Sequence, residues 1–199
     1  MKLKYIIPAL FALLLIVTSC DKDFVEINTN PVSATSLDPM YLFSYSQLNS
    51  AVSDYHYPGA IIQNIITPYG GVLEGGNRNT VIDANANTTF NTMFTSPIKN
   101  LLDVTSKLKD NPAKTNLYNM ARIWKAYCFQ MLVDTYGDVP YSEAGKAFQS
   151  STFLPKYDDQ KVIYTDIMKE YKEATDALDA TKDAVTGDIF FSGDIAKWK

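Results

Sequence analysis

The chain has 199 residues, with 18 basic against 22 acidic side chains and a formal net charge of −4. That length suits one well-cored domain or part of a larger one. An acidic chain with no Lys/Arg run cannot neutralise phosphates along a backbone, which excludes a nucleic-acid partner. Thirteen tyrosines serve a core and a sugar-binding surface equally well, so composition leaves both uses open.

Residues 1–19 read as a secretory leader. Lys2 and Lys4 form a positive start, and Tyr5 to Val17 form an apolar run broken only by Pro8. The run falls short of the roughly 20 residues a membrane-spanning helix needs. Without the leader the charge balance is 16 basic against 22 acidic. Val17-Thr18-Ser19-Cys20 resembles a bacterial lipobox, in which cleavage leaves an acylated Cys20. Several acyl chains anchor a protein stably where one does not. The acidic Asp21-Lys22-Asp23 after it resembles the export tag of Bacteroidota surface lipoproteins, although a charged linker reads the same way. Residues 20–36 are expected to form a lipidated tether rich in Asn, Thr, Ser and Pro.

The domain is expected to occupy residues 37–199. Asp38-Pro39 reads as an N-cap with Pro at the first helical position. Tyr41, Tyr45, Leu48 and Val52 mark the expected buried stripe of a helix running to about Ser53. Residues 54–59, Asp-Tyr-His-Tyr-Pro-Gly, form an aromatic turn. Residues 60–67 fit helix and strand templates alike, and residues 70–92 read as a Gly- and Asn-rich loop. Within that loop Asp83, Asn85 and Asn87 faintly suggest calcium but lack the glycine and final glutamate of an EF-hand. His56 has no companion at metal-ligand spacing, so zinc is not expected. No cofactor is assigned.

Ser96-Pro97 repeats the cap-plus-Pro start, and Ile98, Leu101, Leu102, Thr105 and Leu108 mark a buried face to about Lys109. The strongest periodicity comes next: Leu117, Met120, Trp124, Tyr127 and Met131 are spaced 3, 4, 3 and 4, widened by Ala121, Cys128 and Leu132. Gly137 stops this helix and Pro140 prevents its resumption. A lone cysteine on its apolar face, Cys128, reads as a small buried hydrophobe. Residues 142–157 are expected to be irregular. Asp158 then caps a third long helix with a stripe of Tyr164, Ile167, Tyr171, Ala174 and Leu178. Lys169–Glu173 and Lys172–Asp176 are i, i+4 pairs on its wet side, each weak. Trp198 sits where a further helix opens, and a chain ending there reads as cut short. The fold class is therefore mostly α: helical hairpins in a tetratricopeptide-like bundle with long irregular loops, part of a larger α-rich domain. No clean 34-residue repeat is legible.

Trp124-Lys125-Ala126-Tyr127, Phe129-Gln130 and the run Asp134-Thr135-Tyr136-Gly137-Asp138-Val139-Pro140-Tyr141-Ser142-Glu143-Ala144 closely resemble the signature segment of SusD/RagB-family lipoproteins. The segments Pro155-Lys156-Tyr157-Asp158 to Tyr164 and Gly193-Asp194 to Trp198 fit the same family in the same order, as do the lipobox and Asn28 to Pro31. The resemblance covers residues 20–199 and implies the N-terminal portion of a helical lipoprotein on the outer face of the outer membrane. It implies a SusC-like TonB-dependent porin as partner, outer-membrane lipid held through Cys20, and a glycan or other nutrient as ligand, with no catalysis. The family's ligand-contacting aromatics follow no fixed motif, so none is carried over.

Local candidates for stacking a sugar ring and reading its hydroxyls are Tyr55, Tyr57 and Tyr69 with Asn77 and Arg78, because they fall in expected loops and not on a helical stripe. Trp124, Tyr127 and Tyr136 read as core. Two rivals are a glycan-degrading enzyme, which needs two converging carboxylates, and a structural or peptide-binding surface lipoprotein. Asp138 and Glu143 are better read as turn and packing groups than as such a pair.

Overall fold

The computed structural model describes residues 28, 37–50, 56–66, 72–80 and 82–199. The chain divides into Met1–Leu37 and a second unit, Asp38–Lys199, which contains every element named below. Cys20, Val52, Ser53, Tyr55 and Tyr69 lie outside the described residues. Among the described residues no helix is long and apolar enough to cross a membrane.

The first helix, α1, spans Pro39–Asn49, and the Asp38 carboxylate accepts from the Met40 N–H at 2.8 Å as expected of an N-cap. Its buried face is not the expected one. Tyr41, Tyr45 and Leu48 are 70%, 52% and 67% exposed, whereas Phe43, Ser46, Gln47 and Ser50 are buried. The polar residues can go inside because each finds a partner. Ser46 Oγ donates to the Leu42 carbonyl, Ser50 Oγ to the Gln47 carbonyl, and Gln47 Nε2 to Asp188.

Two further expectations are corrected in the next segment. The aromatic turn and the Gly/Asn-rich loop contain helices: α2 (His56–Ile61), α3 (Val72–Asn77) and α4 (Asp83–Met93). Helices α2 and α3 pack on each other. Asp83, Asn85 and Asn87 are thus helical positions and not the loop positions that an EF-hand-type site would use. Ser96 is not a cap either. The helix continues from α4 through a π-helical turn, Phe94–Ile98, into α5 (Lys99–Leu108). A wider i→i+5 turn gives Pro97, which has no N–H to offer, room inside a continuous helix.

A 3₁₀ turn, Pro112–Lys114, reverses the chain into the long helix α6 (Thr115–Tyr136), which packs antiparallel to α5. Leu117, Met120, Ala121, Cys128, Phe129 and Leu132 are buried in the core, with Trp124, Tyr127, Met131 and Tyr136 packed partly buried against it. Asp183 caps the start of α6 from a distance: its two carboxylate oxygens accept from the N–H groups of Asn116 (2.7 Å) and Leu117 (3.2 Å). At the other end Gly137 adopts φ 77°, ψ −117°, a conformation open to glycine alone.

The signature turn is held by a short antiparallel ladder, β1 (Val139–Pro140) against β2 (Tyr157–Asp158). Between them only α7 (Ala147–Ser150) interrupts the expected irregular stretch. Asp158 is therefore a strand residue, and Asp159 caps α8 (Gln160–Ala177), one position later than expected. The pairs Lys169–Glu173 and Lys172–Asp176 are present at 3.9 and 2.7 Å. Helix α8 packs along α6 and buries Ile163, Ile167 and Ala174, while Tyr164 stays on its rim and hydrogen-bonds Asp134.

The chain returns to α1 through the loop before α9 (Ile195–Trp198), whose N-cap is Asp194. Buried Asp188 anchors this loop. Its Oδ1 accepts from Gln47 Nε2 at 2.8 Å and the Phe190 N–H at 3.1 Å. Its Oδ2 accepts from the N–H groups of Phe191 (3.1 Å) and Gly193 (3.0 Å) and from Trp198 Nε1 (2.8 Å). The whole is a mostly α-helical, tetratricopeptide-like bundle.

Candidate functional site

A cleft of about 570 Å³ opens between α5, α6 and the segment 144–146. On α5 the residues facing it are Lys99, Leu102, Asp103, Thr105 and Ser106, with Lys109 at the C-cap, on the side away from the buried Leu101, Val104 and Leu108. Leu102 and Thr105, expected in the core stripe, are half-buried at its edge: Leu102 packs against the core, and both also line the cleft. On α6 the facing residues are Tyr118, Arg122 and Lys125, one helical face again. The third wall is Ala144, Gly145 and Lys146. Gly145 sits at φ +72°, and a Cβ there would lie 2.5 Å from Leu102 Cδ1. Only glycine lets the segment close down on α5.

Five basic side chains line the cleft against two carboxylates, Asp103 and Glu170. Both carboxylates are engaged. Asp103 Oδ2 pairs with Lys107 Nζ at 2.7 Å. Glu170, on α8, receives Arg122 in a two-pronged contact, Nη2 to Oε1 at 2.8 Å and Nε to Oε2 at 3.1 Å, with Lys125 Nζ 3.7 Å away. Arg122 also reaches Glu173 at 3.1 Å and lies 5.6 Å over the Tyr118 ring. Burial alone would raise the Glu170 carboxyl, but its hydrogen bond from Arg122 and the charges of Lys125 and Arg122 more than offset this and hold it below the ordinary value. The hydrogen bond to Glu170 in turn raises Arg122 further, so both stay ionised. Lys99, Lys109 and Lys146 have no ion pair among the described residues.

Of the residues expected to bind ligand, Tyr55 and Tyr69 lie outside the described residues. Tyr57 belongs to α2, Asn77 ends α3, and Arg78 follows it in an exposed turn. Packing of α2 on α3 brings these two segments together, but Asn77 and Arg78 do not line the cleft. Trp124 and Tyr136 are used structurally. Trp124 Nε1 donates to Ser50 Oγ at 2.8 Å, and Tyr136 Oη donates to the Ala86 carbonyl at 2.5 Å and accepts from the Phe90 N–H at 3.1 Å. The signature turn is consumed likewise. Asp138 accepts from the Gln160 N–H, Glu143 from the Lys156 N–H, and Tyr141 Oη donates to Asp166. Asp158 accepts from the N–H groups of Tyr141 and Ser142; burial would raise this carboxyl, and the hydrogen bonds from Ser142 and Tyr141 with the charge of Lys156 more than offset it and lower it. The spacing of Lys99, Ser106 and Lys109 on one face of α5 was the available signal for the cleft. Lys146 joins them only through the fold.

Residues 25–199 match a family described as SusD-like, starch-binding and associating with the outer membrane. The chain belongs to this SusD-like family. No curated protein matches it significantly. A solved structure described as a chitin-binding protein is 32% identical, with a TM-score of 0.72 over 81% of this chain and 36% of that one. A Bacteroidetes SusD-like structure is 29% identical, with a TM-score of 0.69 over 81% of this chain and 31% of that one. A SusD/RagB family protein from Bacteroides thetaiotaomicron shares the fold at 21% identity and a TM-score of 0.68, over 82% of this chain and 35% of that one. The chain thus spans about a third of the length of the solved structures it matches.

Proposed function

We propose that this SusD-like protein is a nutrient-binding lipoprotein of the outer membrane, anchored at the cell surface through acylated Cys20, that delivers a saccharide to a SusC-like TonB-dependent transporter. The observation that carries the reading is the family match over residues 25–199, whose description joins polysaccharide binding to the outer membrane. Similarity to a chitin-binding protein favours a saccharide over other nutrients. The lipobox ending at Cys20 supplies the anchor, since several acyl chains hold a protein at a membrane without a spanning helix.

We read the protein as a binder and not as an enzyme. Asp138, Glu143 and Asp158 are spent on backbone N–H groups of the signature turn and α8. A glycosidase pair needs two carboxylates free to face one bond. The test is co-purification from outer membranes. The tagged protein is expected to bring down a TonB-dependent porin and to bind at least one member of a polysaccharide panel in titration calorimetry, without releasing reducing ends. Cys20→Ser is expected to move it to the soluble fraction. Recovery with no porin, or glycan cleavage lost in a carboxylate variant, overturns the proposal.

A further inference from the structure

We infer that the basic cleft between α5 and α6 binds an acidic saccharide, one carrying carboxylate or sulfate groups along its length. The inference rests on the saccharide-binding reading above and narrows it to a charge class and a place.

The cleft reverses the charge of the protein around it. The chain is acidic at −4, yet five basic side chains meet at this cleft against two carboxylates that already have partners. Such a local reversal, walled by helices, focuses potential and raises the local concentration of an anion. The arrangement also selects the shape of that anion. Lys99, the first residue of α5, and Lys109, its C-cap, stand ten residues apart, about 15 Å along the axis, so they cannot close on a single phosphate or sulfate ion. Lys146 joins them from the third wall, the segment 144–146. Charges spread in this way fit a ligand whose own charges are spread.

Its walls favour a sugar over an acidic peptide. An extended peptide brings a row of N–H and C=O groups that need main-chain partners, usually a strand edge. Helices α5 and α6 spend their main-chain groups internally and offer none. They offer the Ser106 hydroxyl, ammonium donors and the Leu102 side chain beside the half-buried Tyr118 ring, which suit hydroxyls and an apolar sugar face. Arg122 and Lys125 are held in place by Glu170, leaving Lys99, Lys109 and Lys146 to meet the ligand's charges.

The experiment titrates the full-length protein with hexagalacturonate, with its fully methyl-esterified form and with maltohexaose, in wild type and in the double variant Lys99→Gln/Lys146→Gln. Hexagalacturonate is expected to bind at least tenfold more tightly than its neutral ester, to weaken as salt rises, and to lose at least tenfold in the double variant with the thermal melt unchanged. Chondroitin sulfate oligosaccharide in place of the uronate separates sulfate from carboxylate preference, and tighter binding of either supports the inference. Equal binding of acid and ester, an unaffected double variant, binding of hexaglutamate as tight as the uronate, or displacement by equimolar inorganic sulfate each overturns it. A neutral glycan bound regardless of the double variant overturns the cleft assignment while leaving the binding function standing. Failure of every saccharide to bind removes both.

Discussion

Replacing Asp188 by Asn is expected to be the costliest conservative change in the loop that precedes α9. The carboxylate accepts five hydrogen bonds, three of them on Oδ2 from Phe191, Gly193 and Trp198. An amide fits the same space but can offer only one acceptor oxygen, so two or three donors face an N–H₂ group or nothing. A hydrogen bond to a charged group contributes about 1.5–3 kcal/mol, and a buried donor left alone costs about 1–3 kcal/mol. These are not additive, and local shifts recover part, so a net loss of about 3 kcal/mol is expected. For a chain of this size that lowers the melting temperature by roughly 6–12 °C. Urea unfolding followed by tryptophan emission reads it directly, because Trp198 donates to Asp188 and lies 6.1 Å from Trp124. The pH dependence adds a second check. Burial would raise the Asp188 carboxyl, but hydrogen bonds from Trp198, Gly193, Gln47 and Phe190 outweigh it and put the group below its ordinary 3.8. A folded value below the unfolded one means the contribution is present above about 3.8 and lost as pH falls through the folded value. The gap between wild type and Asp188→Asn should hold steady between about pH 5 and pH 8 and narrow in stronger acid. A loss under about 1 kcal/mol, or a gap that widens on acidification, would refute the account of the loop.

Gly137→Ala places a Cβ in a conformation open only to glycine and 3.3 Å from Gln160 Oε1; a loss of about 1–3 kcal/mol is expected, and an unchanged thermal melt would contradict it. Gly145→Ala should destabilise through contact with Leu102, with part of the loss recovered in Gly145→Ala/Leu102→Ala; strict additivity of the two changes would show that the segment does not lean on Leu102. Burial pushes the Cys128 thiol well up, so in a Cys20→Ser background a disulfide reagent at about pH 8 should label nothing until urea is added. Rapid labelling of the folded protein would place Cys128 outside the core.

The parts legible in the sequence are those where side chains of one kind repeat at one period. Helix α6 was readable because its apolar spacing and its glycine stop agree, and burial of Met120, Cys128 and Leu132 follows. Helix α1 was readable as a helix and misread as to face. Its Tyr41, Tyr45 and Leu48 stripe is regular, but Gln47 goes inside because Asp188, 141 residues away, completes its hydrogen bonds. No local pattern reports such a partner. Helices α3 and α4 carry little local signal because Gly75, Gly76 and scattered asparagines have poor intrinsic helix preference, a weak prior that tertiary packing overrides. Pro97 was read as a helix start because the π turn that carries it through a helix leaves no mark in composition. The cleft was half legible. The polar face of α5 follows from spacing, whereas Glu170 and Lys146 are brought to it only by the tertiary placement of α8 and of the segment after the signature turn.

That division between local pattern and tertiary placement bears on how specificity can change in such a protein. Helix α6 divides its residues between two tasks: Leu117, Met120, Cys128 and Phe129 point into the core, and Tyr118, Arg122 and Lys125 face the cleft. The signature residues after it are occupied in joining β1 to β2 and capping α8, which explains how a motif can identify the fold while saying little about the ligand. Arg122 links the two tasks, because its contact with Glu170 ties α6 to α8 at the wall of the cleft. Removing either partner leaves a half-buried ionised group with only its weaker neighbour, Glu173 for Arg122 or Lys125 for Glu170, so that pair is costly to alter. Exposed Lys99, Lys109 and Lys146 have no such tie, and surface substitutions of this kind usually change stability by less than about 0.5 kcal/mol. Ligand charge preference can therefore be retuned at those three positions while the frame that holds them stays intact.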